Sequence, residues 1–137
     1  MKEQIMYKAI VYVSEASRAM SEYKAKDLAK VSKEKNLEKG ITGILVYNSG
    51  YFLQYLEENA DDVFNLLKKI SDDERHKNIK VVYNKDQESK LFSKWGMEYI
   101  NFGMLRKNLT IELSDLFSQE ENGDEAMTVY KTIAKVF

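Results

Sequence analysis

Three polar side chains fall at positions that the apolar pattern turns toward the interior, and they are the residues best placed to do chemistry. Gln54 shares a strand face with Phe52 and Leu56, Tyr12 lies on an apolar side of the first predicted strand, and Asn36 lies on the inward face of the first predicted helix. A buried amide or phenol without a hydrogen-bond partner costs about 1 to 3 kcal/mol. Each could be a core residue bonded to nearby backbone. Together they favour a flat polar ligand whose edge is bound by two amides and a phenol.

The composition excludes most other reaction centres. The chain contains no cysteine and one histidine, His76, which excludes disulfides, thiolate nucleophiles, iron–sulfur clusters and sites built on paired histidines. Lys and Arg number 21 against 22 Asp and Glu, so no nucleic-acid partner is expected. A bound cofactor is the expected source of any chemistry.

The length of 137 residues is typical of one compact unit. The N-terminal residues lack the apolar run of a signal peptide, and no stretch approaches the about 20 apolar residues of a membrane span. We therefore expect a cytoplasmic protein with no membrane partner.

The elements that must position these residues follow from the hydrophobic periodicity. The predicted strands are 5–13, 44–47, 51–57, 79–83 and 95–102, and the predicted helices run from Ser21, a candidate N-cap, to about Lys35 and from Ala60 to about Ser71. The order β-α-β-β-α-β-β predicts an α+β, ferredoxin-like fold with two helices on one face of a mixed sheet.

The C-terminal residues carry two more apolar patterns. The first is the short patch Leu113, Leu116 and Phe117, and the second is the helical stripe Ala126, Val129, Tyr130, Ile133 and Phe137. Because the second face of the sheet needs a cover, we expect two C-terminal helices to pack there.

An ordered set of short motifs is similar to one known family. The motifs are Tyr12-Val13-Ser14, Asn36 before Gly40-Ile41-Thr42-Gly43, Phe52-Leu53-Gln54-Tyr55-Leu56-Glu57, Asp73-Glu74-Arg75-His76, and Phe92 followed by Trp95-Gly96-Met97. Over about residues 5 to 102 this set resembles the BLUF family of flavin-binding blue-light sensors. One position departs from the common pattern: Glu58 and Asn59, not glycine, follow Leu56-Glu57.

The resemblance implies a flavin, FAD or alternatively FMN, held between the two helices. It implies a sensor domain over residues 1–103 and a helical cap over residues 104–137. The cap carries no effector motif, so the chain looks like the short stand-alone type, which is not an enzyme and signals to a separate protein partner. The identity of that partner and a homo-oligomeric state are left open.

The resemblance also assigns roles at the flavin edge. Tyr12 would donate an electron and a proton to the excited flavin, and Gln54 would lie between that phenol and the flavin N5/O4 edge. Recombination would leave Gln54 rotated or tautomerised, with a stronger hydrogen bond to O4. Asn36 would bond the C4 carbonyl and N3–H side.

Further residues are assigned around this edge. Ser32 would lie near the ring, and Met97 and Trp95 of the fifth strand would respond when Gln54 rearranges. The residues that would face the ring or the phosphate tail are Lys35, Arg75 and His76.

Other interpretations remain at this point. Trp95 could be an ordinary packing aromatic and His76 a surface histidine in a turn. The chain could be a light-independent ligand-binding or interaction module of the same fold, although the intact set of Tyr12, Gln54 and Asn36 argues against it. An acylphosphatase-like enzyme using Arg18 is disfavoured because the loop after the first strand lacks a glycine-rich phosphate cradle.

Overall fold

The computed structural model describes residues 6–105 and 109–136. Ile5 and Phe137, which the periodicity assigned to the first strand and the last helix, lie outside the described residues.

Five strands form one mixed sheet in the described chain. They are β1 (Tyr7–Ala16), β2 (Thr42–Asn48), β3 (Tyr51–Glu58), β4 (His76–Gln87) and β5 (Glu98–Asn101). Their spatial order is β4-β1-β3-β2-β5. β1 pairs antiparallel with β3 and β4, β2 pairs antiparallel with β3, and β2 pairs parallel with β5. The predicted ferredoxin-like plan is confirmed.

The helices are α1 (Glu22–Glu38), α2 (Ala60–Ser71) and α3 (Glu125–Val136), with two short 3₁₀ helices at Phe102–Leu105 and Leu113–Ser118. Ser21 caps α1, since its hydroxyl accepts a hydrogen bond from the Lys24 N–H at 3.2 Å. Asn59 caps α2 by accepting from the Asp62 N–H at 3.0 Å. Asn59, the second of the two residues that follow Leu56-Glu57, thus begins the helix.

Each face of the sheet has its own apolar core, as the alternation in β1 predicts. Toward α1 and α2 the core contains Ile10, Ala25, Ala29, Leu45, Phe52, Leu56 and Val63. Toward the C-terminal segment it contains Val11, Val13, Leu53, Tyr55, Leu113, Leu116, Val129, Tyr130 and Ile133. The predicted cover of the second face is confirmed, although its first helix is a 3₁₀ turn.

Two strand boundaries differ from the prediction. β4 is longer than 79–83 because it is an edge strand, where lysine and asparagine are tolerated without strict alternation. His76 therefore opens a strand instead of lying in a turn. β5 is shorter than the predicted 95–102, so Trp95 and Met97 precede it. The Trp95 carbonyl nevertheless contacts the sheet, since it accepts a hydrogen bond from the Gly43 N–H of β2 at 2.9 Å.

Among the described helices, none combines the length and the apolar character that crossing a bilayer requires.

Candidate functional site

A cavity of about 390 Å³ lies between the sheet and the two helices α1 and α2. This volume is in the range of small-molecule sites in proteins, about 300 to 1,000 Å³. Its apolar lining consists of Leu28, Ile41, Leu45, Phe52, Leu66 and Ile70. The walls come from both helices and from the sheet, so a flat apolar ring could be covered on both sides.

Tyr12 and Gln54 form the polar wall of this cavity. They are direct neighbours in the pairing of β1 with β3, and both are buried, with 3% and 6% of their surface exposed. The Tyr12 hydroxyl donates to Gln54 Oε1 at 2.5 Å. The Gln54 amide nitrogen donates to the Met97 sulfur at 3.1 Å. Gln54 thus connects a phenol with a thioether through one amide group.

The Tyr12 phenol is held in its protonated form. Burial raises its pKa well above the usual range of tyrosine, and the negative charge of Asp73 adds to the shift. The phenol therefore remains a hydrogen-bond donor at neutral and moderately alkaline pH.

Asn36 presents an unsatisfied amide to the cavity. Only 4% of the residue is exposed, and its Nδ2 has no hydrogen-bond partner among the described residues. Ser32 and Leu28 lie one and two turns earlier on the same face of α1 and also line the cavity. A buried amide donor without a partner is costly. A ligand acceptor at this wall would remove that cost.

His76 closes one end of the cavity and is fixed at both ring nitrogens. Its Nε2 lies 2.6 Å from the Ile70 carbonyl oxygen, and its Nδ1 lies 2.9 Å from the Ser14 hydroxyl. Because a carbonyl can only accept, Nε2 carries a proton, and in the neutral ring Ser14 donates to Nδ1. The imidazole packs edge-on against the rings of Tyr12 and Phe52, with centroids 5.9 and 6.1 Å away. It links β1 to the end of α2.

The mouth of the cavity is charged. Arg75 binds the Asp73 carboxylate through its guanidinium, with Nε to Oδ1 at 2.9 Å and Nη2 to Oδ2 at 2.5 Å among the contacts, and through its backbone N–H. These hydrogen bonds lower the pKa of the Asp73 carboxyl. Lys35, Lys39 and Lys69 also line the cavity, and their ammonium groups form no ion pair within residues 6–105 and 109–136. The lysines, more than Arg75, are the cations free to bind an anionic group.

The structure gathers most of the predicted site residues in one place. The residues that line the cavity are Tyr12, Ser32, Lys35, Asn36, Gln54, Arg75 and His76, and Met97 reaches Gln54 from the side. Trp95 is not among them. Its ring packs on Phe92 at 5.5 Å, in the core beneath the C-terminal segment, which is the packing position that the alternative interpretation gave it.

Sequence reasoning assigned no site role to four charged residues of the cavity: Glu38, Lys39, Lys69 and Asp73. A helical signal for part of this set was present. Lys69 follows the wall residue Leu66 by three positions and therefore lies on the same face of α2. Adding the polar residues next to the apolar stripes of α1 and α2 would have identified the charged residues on these two helices. Asp73 carries no such signal, because it lies beyond the end of α2.

Comparison with known proteins finds the same fold and sequence pattern. Residues 7–98 match the family described as BLUF, sensors of blue light using FAD. The photoactivated adenylate cyclase subunit alpha of Euglena gracilis is 30% identical over 106 residues, which is 75% of this chain and 10% of that protein. The chain thus spans about a tenth of the length of the photoactivated adenylate cyclase subunits that it matches.

Two solved structures are similar over almost the whole chain. The dark-state structure of the BLUF protein BlrB has a TM-score of 0.84 and 24% identity, covering 98% of this chain and all of that one; it supports the fold. A bacterial light-regulated adenylyl cyclase has a TM-score of 0.70 and 30% identity, covering 94% of this chain and 36% of that one.

Proposed function

The chain belongs to the BLUF family of blue-light sensors that use FAD, and from that premise we propose how its own residues bind a flavin and answer to light. The observation that carries the proposal is the hydrogen-bonded series Tyr12–Gln54–Met97 on the wall of the cavity. The protein would hold the flavin without a covalent bond and signal by rearranging this series.

The residues of the cavity fit the cofactor. An isoalloxazine ring has two flat apolar faces and a polar edge with carbonyl and N–H groups. The apolar walls from α1, α2 and the sheet match the faces, and the unpaired Nδ2 of Asn36 matches an acceptor on the edge. When bound, the flavin would absorb blue light and accept an electron in its excited state.

Tyr12 and Gln54 would carry the response in the protein. Tyr12 would supply the electron and the proton, since its phenol is buried and protonated. Gln54 carries both a donor and an acceptor, so it can pass a proton or rotate between two bonded arrangements. Its nitrogen is bonded to the Met97 sulfur, which is a weak acceptor. A weakly held amide can change orientation at small cost, which suits a reversible switch.

FAD is the proposed cofactor, with FMN as the alternative. The three lysines at the mouth of the cavity support a ligand with more than one phosphate. Measured dissociation constants for FAD, FMN and riboflavin would decide between them. Tighter binding of FAD than of FMN, weakened by Lys35→Ala and Lys69→Ala, is expected, whereas tighter binding of FMN than of FAD would favour FMN.

The proposed output is contact with a separate protein partner and not catalysis. We propose the sensor as residues 1–103 and the helical cap as residues 104–137, acting in the cytoplasm. The cyclase relatives match this chain over only about a tenth of their length, so their activity does not carry over. Acyl phosphate hydrolysis that depended on Arg18 would instead favour the enzyme alternative.

The direct test is to mix the purified chain with FAD, remove free flavin by gel filtration and record the absorption spectrum before and after blue illumination. We expect a yellow protein whose flavin band shifts slightly to longer wavelength and returns in the dark. A chain that retains no flavin would overturn the proposal, and a bound flavin without a light-induced shift would favour the light-independent module.

A further inference from the structure

Glu57 is a completely buried carboxylate that the proposed light response does not use. It lies on β3 three residues after Gln54, on the sheet face that packs against the C-terminal segment, and it is 0% exposed. Its Oε1 accepts from the Leu91 N–H at 2.7 Å, and its Oε2 accepts from the Phe92 N–H at 2.6 Å. Within the described residues it forms no ion pair with a lysine or an arginine.

Two hydroxyl groups complete the surroundings of this carboxylate. Thr42 Oγ1 donates at 3.2 Å, and the Tyr55 hydroxyl shares its single proton between Glu57 Oε1 at 3.1 Å and Gln87 Oε1 at 3.2 Å. Burial, and then the Glu57 charge, raise the pKa of Tyr55, so its hydroxyl keeps the proton that it donates. A buried charge is tolerated only when hydrogen bonds replace its hydration. The two backbone N–H groups and the two hydroxyls therefore replace the water that burial removes from the Glu57 carboxyl group.

The two backbone contacts fix the start of the segment that carries Met97. From Leu91 and Phe92 the chain turns, with the Trp95 N–H donating to the Phe92 carbonyl at 3.0 Å. The Trp95 carbonyl then accepts from the Gly43 N–H of β2 at 2.9 Å. Two residues later the Met97 sulfur meets the Gln54 amide.

Glu57 and Gln54 thus hold opposite ends of one short segment from the same strand. Hydrogen bonds to a charged acceptor are stronger than those between neutral groups. The contacts to Leu91 and Phe92 are accordingly the firmest attachment of the 91–97 segment to β3.

We propose that Glu57 is a positioning residue of the light response, which fixes the 91–97 segment so that the Met97 sulfur stays against the Gln54 amide and sets the lifetime of the light-induced state. The inference rests on the proposed function, and it adds Glu57, on the opposite face of the sheet, to the residues that control the light response.

The test is Glu57→Gln in the flavin-loaded chain, read by the rate of dark recovery. A glutamine side chain has one oxygen for the two backbone N–H donors of Leu91 and Phe92. Its NH₂ group would face the second N–H, so that contact is lost and the 91–97 segment is released from β3. With Met97 loosely held, rotation of Gln54 is less hindered. We expect recovery to accelerate about tenfold or more, with flavin affinity unchanged because Glu57 does not line the cavity.

Thr42→Val is the matched control, since it removes a donor from the same carboxylate and leaves both backbone contacts in place. It should lower the melting temperature while leaving recovery within about twofold of the wild type. A double-mutant cycle with Met97→Leu tests the route: if Glu57 acts through Met97, Glu57→Gln adds no further acceleration in the Met97→Leu background.

The outcomes separate the two claims. A flavin-loaded wild type without a light-induced shift overturns the proposed function and this inference with it. If the wild type responds normally, three results would each overturn the role of Glu57 alone. Glu57→Gln could recover at the wild-type rate, Glu57→Gln could still accelerate recovery in the Met97→Leu background, or Thr42→Val could accelerate recovery as much as Glu57→Gln does. Should Glu57→Gln not fold, Glu57→Asp keeps the charge but withdraws it by one methylene, and wild-type recovery in that variant also overturns the role.

Discussion

The Gln54 amide makes unequal hydrogen bonds on its two sides. Its oxygen accepts a short hydrogen bond from a buried phenol, and its nitrogen donates to a sulfur atom. The Tyr12 phenol and the Met97 sulfur are both buried, so water cannot replace either of them as a hydrogen-bond partner of Gln54. The amide is therefore confined to a small number of bonded arrangements, as a two-state switch requires.

Replacing Tyr12 by phenylalanine should separate flavin binding from the light response. The ring and its packing remain, so flavin binding should persist, but the donor to Gln54 is lost and the reversible red shift should disappear. The unpaired Gln54 oxygen should lower the free energy of unfolding by about 1 kcal/mol. Absorption spectra under blue light and urea unfolding measure the two effects. A retained photocycle would remove Tyr12 from its proposed role.

Asn36 should contribute to flavin affinity through its unpaired amide. Asn36→Ala removes the donor, and the loss of one hydrogen bond to a buried acceptor should weaken binding by about 1 to 2 kcal/mol, or about tenfold. The apo protein should lose little stability, because this Nδ2 has no partner within the described residues. Flavin titration followed by fluorescence measures the change, with Asn65→Ala on the exposed face of α2 as the control. Equal affinities of the two variants would contradict the assignment.

At the residue scale, strand phase predicted which polar groups point into the site. Tyr12 and Gln54 lie on one face because side chains alternate along β1 and β3. The choice between Met97 and Trp95 was beyond the sequence, because it depends on the path of the loop before β5. The pairing of Arg75 with Asp73 was hidden for the same reason: it is made in a turn with no regular period.

At the scale of elements, the edge of the site depends on the close approach of β2 and β3 at Gly43. A Cβ atom on Gly43 would lie 1.9 Å from the Tyr55 carbonyl oxygen and 3.3 Å from the Met97 methyl group. No side chain fits there without displacing β3. Glycine at this position lets the 91–97 segment and β3 meet beside Gln54.

Gly43→Ala should therefore destabilise the protein by about 2 kcal/mol or more, as overpacking against fixed backbone does. Gly103→Ala is the control, because its new methyl group would meet only the side chain of Asn101 at 3.0 Å; we expect a loss below about 1 kcal/mol. Urea unfolding of both variants measures the difference. Equal losses would show that the contact with Tyr55 is not restrictive.

The periodicity predicted the types and order of these elements better than their ends. α2 was predicted with its actual bounds because its apolar stripe and its cap agree. β4 was predicted too short because only its middle is apolar, while pairing with β1 extends it to polar residues at both ends. Strand pairing over distance cannot be read from a local pattern.

At the scale of the whole molecule, one sheet separates a ligand cavity from a covered apolar core. Tyr55 and Tyr130 of the covered core contact each other with ring centroids 5.2 Å apart, and the Tyr130 hydroxyl donates to the Ile44 carbonyl of β2 at 3.3 Å. α3 is thereby bonded to a strand that also lines the cavity through Leu45. A change at Gln54 has a short structural route to the C-terminal segment.

Stability should fall at alkaline pH because three tyrosines are buried. Burial is the first cause of a raised pKa at Tyr12, Tyr55 and Tyr130. In the unfolded chain each ionises near pH 10, while the folded chain keeps the protons. The free energy of unfolding is therefore constant with respect to these tyrosines below about pH 10. Above that pH it falls by up to about 1.4 kcal/mol per pH unit for each of them.

Urea unfolding at about pH 8 and about pH 11 measures this loss. Tyr130→Phe should reduce the loss of stability per pH unit, because it removes one of the buried tyrosines whose pKa is raised. A stability that does not change between these pH values would contradict the burial of the phenols.

The central claim, that light rearranges the hydrogen bonds of Gln54, is tested most directly by the light-minus-dark absorption spectrum of the FAD-loaded wild type beside Gln54→Leu. Leucine keeps the volume of the side chain and removes the amide. The account predicts a small, reversible red shift in the wild type and none in Gln54→Leu, with flavin bound in both. A Gln54→Leu variant that shifts and recovers like the wild type would contradict it.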